Sequence, residues 1–432
     1  MIDKTREIAL KTLYRIDKEN AYSNIALKEE INKNRIKLTE KDVGLISEIV
    51  YGVTTWRLTL DEIIKKYSKI KIKKISPWII NILRMGCYQI IFLDKIPKSA
   101  AVNESVNLAK RYGHISSSNF VNAILRKVEK EDYQEFFKIK NDIERISKTT
   151  SMPEWIIKEL MKNNNIEDVE KICNIFNEKT NISIRINRLK TSKKELTQQL
   201  KQRKIDYEET EYEDFLILKR IKNIENLDLF KQGYFTVQDI SAGLTVKMLK
   251  PKKGEYVLDA CSAPGGKTTY IAELMGNSGI IEAWDIHEHR TKLVQDAANR
   301  LGIDIIKTQV KDASIYDEKL NGKFDKILLD VPCLGIGVIK RKPDIKWQRK
   351  EEDIQEITKL QKKILDNCAK YLKSGGKLVY STCSIFKEEN QDIVHKFLKE
   401  NKDEFFIEEN AEITIIPDKE KDGFYMCKLN KK

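Results

Sequence analysis

From Gly254 to the C-terminus, short apolar runs alternate with longer amphipathic stretches, and no other feature restricts the fold of this 432-residue chain as tightly. The runs Tyr256–Ala260, Gly279–Asp285, Ile303–Lys307, Asp325–Asp330 and Lys377–Ser381 have the length and composition of strands. Glu288–Leu301 and Lys350–Leu372 carry apolar residues at helical spacing between them. Lys326-Ile327-Leu328-Leu329 is nearly continuous in its apolar character, as a strand covered on both faces must be. Strand–helix alternation of this kind predicts an α/β domain with a mainly parallel, doubly wound sheet over 251–432. Such a sheet binds ligands beyond the carboxyl ends of its strands, so residues there are the first functional candidates.

The chain before it reads differently. Residues 1–147 repeat apolar positions at helical spacing, as in Ile8, Leu10, Leu13 and Ile16 and again from Ile79 to Ile91, with breaks at Ser76-Pro77, Pro97 and Gly113. An all-α domain is expected there. Residues 148–250 mix a short helix, for which Ser151 is the expected N-cap, with the strand-like runs Ile182–Ile186, Tyr207–Glu211, Phe215–Lys219 and Tyr234–Val237. A small α+β linking module is expected, joined to the last domain by a helix near Ser241–Leu249.

Charge separates these regions again. Residues 1–150 hold 29 Lys/Arg against 19 Asp/Glu, while 251–432 hold 32 against 31, so the surplus of the +13 chain is concentrated at the N-terminal end. A polyanion partner follows from that concentration. Within it, Lys65–Lys74 (KKYSKIKIKK) is either a solvated helix end or a nucleic-acid contact, and composition leaves both open. Seven cysteines without a C-x-x-C pair, and four histidines without ligand spacing, predict neither a disulfide framework nor a metal site. No apolar stretch reaches membrane-spanning length and the N-terminus has no signal-peptide pattern, so a cytoplasmic monomer without membrane attachment is expected.

The first strand of the α/β region runs into Asp259-Ala260-Cys261-Ser262-Ala263-Pro264-Gly265-Gly266-Lys267-Thr268 and then a helix. Paired glycines admit close backbone approach, and the helix N-terminus offers free N–H groups. The spacing is not G-x-G-x-x-G, which disfavours a nicotinamide oxidoreductase. Asp285 closes the second strand, where a carboxylate can accept both ribose hydroxyls, and Asp312 beyond the third can accept an adenine amino group. Together they describe a nucleoside pocket without a phosphate cluster, which suits S-adenosylmethionine.

The fourth strand ends in Asp330-Val331-Pro332-Cys333 and the fifth in Ser381-Thr382-Cys383-Ser384. Free cysteines are usually core residues, a reading that fits Cys87, Cys173, Cys368 and Cys427. Two at strand ends beside a methyl-donor site suggest nucleophilic catalysis instead. Carbon 5 of a pyrimidine is a poor nucleophile until a thiolate adds to carbon 6, and a carboxyl at ring N3 would take up the developing charge. Spacing does not rank the two cysteines.

DACSAPGGKT, AWDIHEHR, DVPCLGIGVIKRKPDIKW and YSTCS together resemble the RNA 5-methylcytosine methyltransferases of the NOL1/NOP2/Sun group, in its bacterial 16S rRNA branch. EIVYGVTTW, ILRMGCYQIIFLDKIPKSAAVNESVNLAKRYG and FVNAILRKV resemble its NusB-like N-terminal domain; SMPEWIIKEL, SIRINRLKTS and YFTVQDISAG resemble its RNA-binding linking module. The resemblance implies a Rossmann-like class I methyltransferase domain in which Cys261, Ser262, Ala263, Pro264, Gly265, Gly266 and Lys267 wrap the methionine part of the cofactor. It further implies that Asp285 holds the ribose, Asp312 the adenine, and Asp330 the cofactor edge and target base. Cys383, in the T-C-S motif, would be the nucleophile and Cys333 would assist release of the product. The implied substrate is cytosine 967 of 16S rRNA, free or in an early small-subunit particle. Val331 and Leu334 depart from the more usual Ala and Ser beside the catalytic motif. The first competing expectation is the same chemistry on another rRNA or a tRNA cytosine; a non-catalytic NusB-like assembly factor is the other, and it predicts loss of Cys383, Asp330 or the glycine loop, all of which are present.

Overall fold

The computed structural model describes residues 3–219, 221 and 223–432. The chain forms two compact units. One holds the sequence up to Asn177 together with Ile339–Glu351; the other holds Glu178–Val338 and Glu352–Lys432.

The first unit is helical. Its long helices include Lys4–Lys18, Glu40–Thr55, Pro77–Phe92 and Lys98–Tyr112. Ser76 caps the third of these ahead of Pro77, and Gly113 ends the fourth, at the breaks read from sequence. Ile8, Leu13, Ile49, Val53, Ile82, Leu83 and Leu108 meet in one buried core. Gly52 has no room for a side chain because the Tyr88 ring lies where its Cβ would stand.

Ser151 does not cap the helix that follows it, contrary to expectation. It ends the preceding helix, Asp142–Thr150, in a left-handed conformation (φ 52°), and the next helix begins at Glu154 behind Pro153 without a side-chain cap. Its hydroxyl instead accepts from the amides of Leu58 and Thr59 at 2.9 and 3.3 Å, so it caps Arg57–Tyr67 from outside that helix.

Ile339–Glu351 packs in this helical unit although its neighbours in sequence belong to the other. Asp344 accepts a hydrogen bond from Ser23, Lys346 Nζ donates to the carbonyl of Thr55 at 2.8 Å, and Trp347 Nε1 donates to that of Thr54 at 2.6 Å.

In the second unit, β1 (Ile182–Ile186), β2 (Tyr207–Glu209), β3 (Phe215–Leu218) and β4 (Phe235–Val237) form a small antiparallel sheet in the order β2-β3-β1-β4. The larger sheet contains β5 (Tyr256–Asp259), β6 (Ile280–Asp285), β7 (Ile306–Val310), β8 (Phe324–Asp330), β9 (Leu372–Thr382), β10 (Phe405–Ile415) and β11 (Phe424–Lys431). Their order is β10-β11-β9-β8-β5-β6-β7, with the five strands from β5 to β9 parallel. The β7 strand starts three residues later than its apolar run, because Gly302 closes the preceding helix at φ 76° and Ile303–Ile305 serve as the connection. The antiparallel pair β10–β11 was not predicted. β10 is an edge strand with three glutamates, a pattern that suppresses the strand signal while it protects an open edge.

Candidate active site

The parallel strands deliver their candidate residues in the spatial order of the sheet. Asp312 follows β7 and Asp285 ends β6; the glycine loop follows β5; Asp330 ends β8, and Cys383 follows β9. Neighbouring strands are about 4.8 Å apart, so the sheet edge sets a row with the two nucleoside aspartates at one end and the cysteines at the other.

The loop after β5 is held from several sides. Ser262 donates through its amide and its hydroxyl to the carbonyl of Trp284 in β6, at 2.8 and 2.9 Å. The Gly265 amide bonds the Ser262 carbonyl at 2.8 Å, and Arg290 reaches the Ala263 carbonyl at 3.2 Å. Gly265 sits at φ 101° against the Val294 backbone, a place and a conformation that exclude a side chain. It leads into Gly266–Leu274 as an N-cap without a side-chain acceptor, which leaves the first amides of that helix for a ligand. A Cβ on Gly266 would meet only Gln238, at 3.8 Å, so this side of the loop is open to a ligand. Burial pushes Asp259 up to about 7 although the Thr268 hydroxyl bonds it at 2.7 Å.

Asp285 is buried and carries an ion pair to Arg290 at 3.2 Å, with the His287 amide on its other oxygen at 3.2 Å. Asp312 is half-buried, and one of its oxygens accepts from the Ser314 amide at 2.8 Å. Both retain acceptor capacity. This loop and carboxylate set fits the methionine and adenosine parts of S-adenosylmethionine.

At the other end, Asp330 Oδ1 accepts from Ser381 at 3.0 Å and its Oδ2 from Lys267 Nζ at 2.8 Å. Burial alone would lower the Lys267 ammonium, but the Asp330 carboxylate outweighs it and holds the group above its ordinary value. The sulfurs of Cys333 and Cys383 are 2.9 Å apart. Cys333 is raised well above the ordinary thiol value, first by its hydrogen bond to Cys383 and then by burial, so it keeps its proton at neutral pH. Cys87, Cys173, Cys368 and Cys427 are buried in cores, whereas Cys261, Cys333 and Cys383 are only half-buried. Among the described residues no three histidine, cysteine or acidic groups converge as a metal site would require.

Three family models match in succession along the chain. The NusB family covers residues 3–130, the ferredoxin-like domain of RsmF/B-like methyltransferases 152–225, and 16S rRNA methyltransferase RsmB/F 246–430. The chain is 37% identical over 443 residues to the probable ribosomal RNA small subunit methyltransferase B of Bacillus subtilis, covering 99% of this chain and 98% of that one. The chain belongs to the RsmB/F family of 16S rRNA methyltransferases. It is also 34% identical to ribosomal RNA small subunit methyltransferase B of Escherichia coli O127:H6, across 92% of each chain. The crystal structure of PH0851 superposes on it with a TM-score of 0.83 over 99% of both chains, at 27% identity. NSun6 from Pyrococcus horikoshii, solved with SFG, shares the fold over 65% of this chain and 98% of that one (TM-score 0.57, 24% identity). The enzyme is therefore a methyltransferase, and its methyl donor is S-adenosylmethionine.

Two residues of this RsmB/F-family enzyme that organise the cysteine loops carry no sequence signal of their own. Glu389, fully buried, accepts from the Leu334 amide at 2.9 Å, from Gln361 at 3.0 Å and from the Ser384 hydroxyl. It thereby ties the Cys333 loop to the Cys383 loop. Asn390 accepts from the Thr382 hydroxyl at 2.5 Å and donates to the Ser384 carbonyl at 3.0 Å. In K-E-E-N-Q-D both look like parts of a solvated polar turn. The main chain adds a further tie, since the Gly337 amide donates to the Cys383 carbonyl at 2.9 Å.

Proposed function

We propose that the enzyme methylates carbon 5 of a cytosine in small-subunit rRNA, cytosine 967 of 16S rRNA by family resemblance, through a covalent bond from Cys383 to carbon 6. The observation that carries this reading is the 2.9 Å approach of the Cys333 and Cys383 sulfurs beside Asp330. Methylation of an exocyclic nitrogen or a ribose oxygen has no use for two thiols at the sheet edge.

The raised value of Cys333 supports a division of labour between them. Cys333 is held above the ordinary thiol value, so it keeps its proton and can share it in a hydrogen bond with the Cys383 sulfur 2.9 Å away. Cys383 adds to carbon 6 and the displaced ring electrons make carbon 5 nucleophilic. Asp330, oriented by Lys267 and Ser381, faces the polar edge of the ring where that charge gathers. S-adenosylmethionine supplies the electrophilic methyl group. Loss of the carbon 5 proton to a base then expels Cys383 as a thiolate, and the Cys333 S–H again hydrogen-bonds it. In this reading Cys333 assists release by stabilising the leaving sulfur. Cys261–Lys267 hold the methionine part, Asp285 the ribose and Asp312 the adenine. Carbon 6 is closed to attack inside a stacked helix, so the target base is unstacked or flipped.

The test uses a 16S rRNA transcript containing 5-fluorocytosine, whose carbon 5 cannot lose a proton. The wild-type enzyme with S-adenosylmethionine should give a protein–RNA adduct stable on a denaturing gel, absent from Cys383→Ala. Methyl transfer without such an adduct would sink the covalent mechanism, and bisulfite sequencing of the methylated transcript names the base.

A further inference from the structure

The basic run Lys65–Lys74 has no part in the chemistry above, yet it forms one wall of a cleft of ≈ 1170 Å³ within the helical unit. Helix Arg57–Tyr67 ends inside the run, and a short 3₁₀ turn follows at Ile72–Lys74. Ile72 and Ile75 pack against the helical core, which turns the intervening lysines outward. Lys69, Lys71, Lys73 and Lys74 are exposed, and among the described residues no carboxylate pairs with any of the four.

Nine basic residues line this cleft against three acidic ones, and the acidic three are already neutralised. Arg84 pairs with Asp17 at 2.6 Å and with Asp61 at 2.7 Å, while Lys148 and Lys65 hold Glu62 at 3.2 and 3.4 Å. The uncompensated field in the cleft therefore comes from these four lysines together with Lys18, which is also exposed and without a carboxylate partner among the described residues. The lining also includes Trp155 and Trp347, both half-buried. Trp347 is braced by its bond to Thr54 and by the Arg57 guanidinium 5.7 Å from its ring centre.

Ammonium groups carried on a bend and a 3₁₀ turn, in one cleft with flat aromatic rings, have the chemistry of a single-stranded nucleic-acid site: phosphates on the cations, bases on the rings. We propose that this cleft binds a single-stranded segment of the RNA substrate, with Lys69, Lys71, Lys73 and Lys74 on successive phosphates and Trp155 stacked on a base. The proposal rests on the reading of the enzyme as an RNA methyltransferase, and the experiment separates the two.

The full chain and its K69Q/K71Q/K73Q/K74Q variant are titrated with a 16S rRNA transcript and with a 20-nucleotide oligouridylate across a salt series. For four lost phosphate contacts the slope of log K against log salt should fall by about 2.8, at roughly 0.7 per contact on a single strand. S-adenosylmethionine affinity and the unfolding temperature should stay unchanged. Trp155→Ala should weaken oligouridylate binding about tenfold and remove part of the fluorescence quenching that accompanies it. An unchanged slope in the variant would overturn the proposal. So would a duplex of equal length competing as well as the single strand, or a loss confined to anionic phosphatidylserine vesicles. Failure of the wild type to methylate RNA, with the slope change intact, would instead refute the function and leave the binding site standing.

Discussion

Lys267 Nζ and Asp330 Oδ2 are joined at 2.8 Å across the gap between the glycine loop and the end of β8. In the proposed reading, the pair links the residues that hold the cofactor to those that meet the base. Because the Lys267 ammonium is held by this carboxylate against the effect of burial, neutralising Asp330 should be felt by the lysine as well. Asp330→Asn is expected to lower kcat by about 10²–10³, the range for loss of one group that stabilises transition-state charge. S-adenosylmethionine affinity, measured by calorimetry, should fall less than kcat does, because Asp330 and Lys267 reach only part of the cofactor and the methionine loop has its own anchors at Trp284 and Arg290. A large loss of cofactor binding with kcat preserved would place Asp330 in the cofactor site alone.

The two cysteines should fail in different ways. Cys383→Ala removes the sulfur that forms the bond, so methyl transfer should fall to background. Cys333→Ala keeps that sulfur and removes the thiol that hydrogen-bonds it on departure, so the enzyme should accumulate on ordinary RNA as a denaturation-resistant adduct. A gel of each variant with unmodified transcript and S-adenosylmethionine reads the difference. Adduct formation by Cys383→Ala, with Cys333→Ala inactive and free of adduct, would reverse the roles.

Much of this was legible in the sequence where periodicity and strand ends coincide. Lys326–Leu329 reads as a doubly covered strand and is one, and the residues at its carboxyl end fall at the site. Properties set by distant partners were not legible. Ser151 looks like the cap of the helix beside it, yet its hydroxyl serves amides 92 and 93 positions away. β10 hides behind its glutamates because an edge strand needs only one buried face. The roles of Cys333 and Cys383 come from the T-C-S resemblance, and the hydrogen bond between their sulfurs is something no spacing reveals.

Glu389 yields a third prediction. As a fully buried carboxylate that bridges the loops of both cysteines, it should be costly to remove. Glu389→Ala should destabilise the protein by about 1–3 kcal/mol through the donors it leaves unsatisfied. Its kcat should drop more than tenfold, with cofactor affinity unchanged because the bonds described for Glu389 go to Leu334, Gln361 and Ser384. Glu389→Gln, which preserves shape and one of the two acceptor oxygens, should recover part of the activity. Equal loss in both variants would mean that the negative charge, and not the loop geometry, is what matters.

Lys346 is the fourth case, and its effect is on stability. The side chain is 1% exposed, and burial pushes its ammonium down to about 7 while Thr55 and Asn177 accept its hydrogen bonds. The unfolded chain returns the group to its ordinary value of 10.5. Between those two values the unfolded state binds more protons than the folded one, so stability must rise with pH from about 7 toward 10.5 and be independent of this group below 7. The span corresponds to a few kcal/mol at most. Urea unfolding of the wild type at pH 7, 8 and 9 should show that rise. Lys346→Met abolishes the titration, and although it leaves the two acceptors without their donor, that cost does not vary with pH. The difference between wild type and variant should therefore shift in favour of the wild type as pH increases. A difference that is flat across the series would mean that Lys346 is charged in the folded protein.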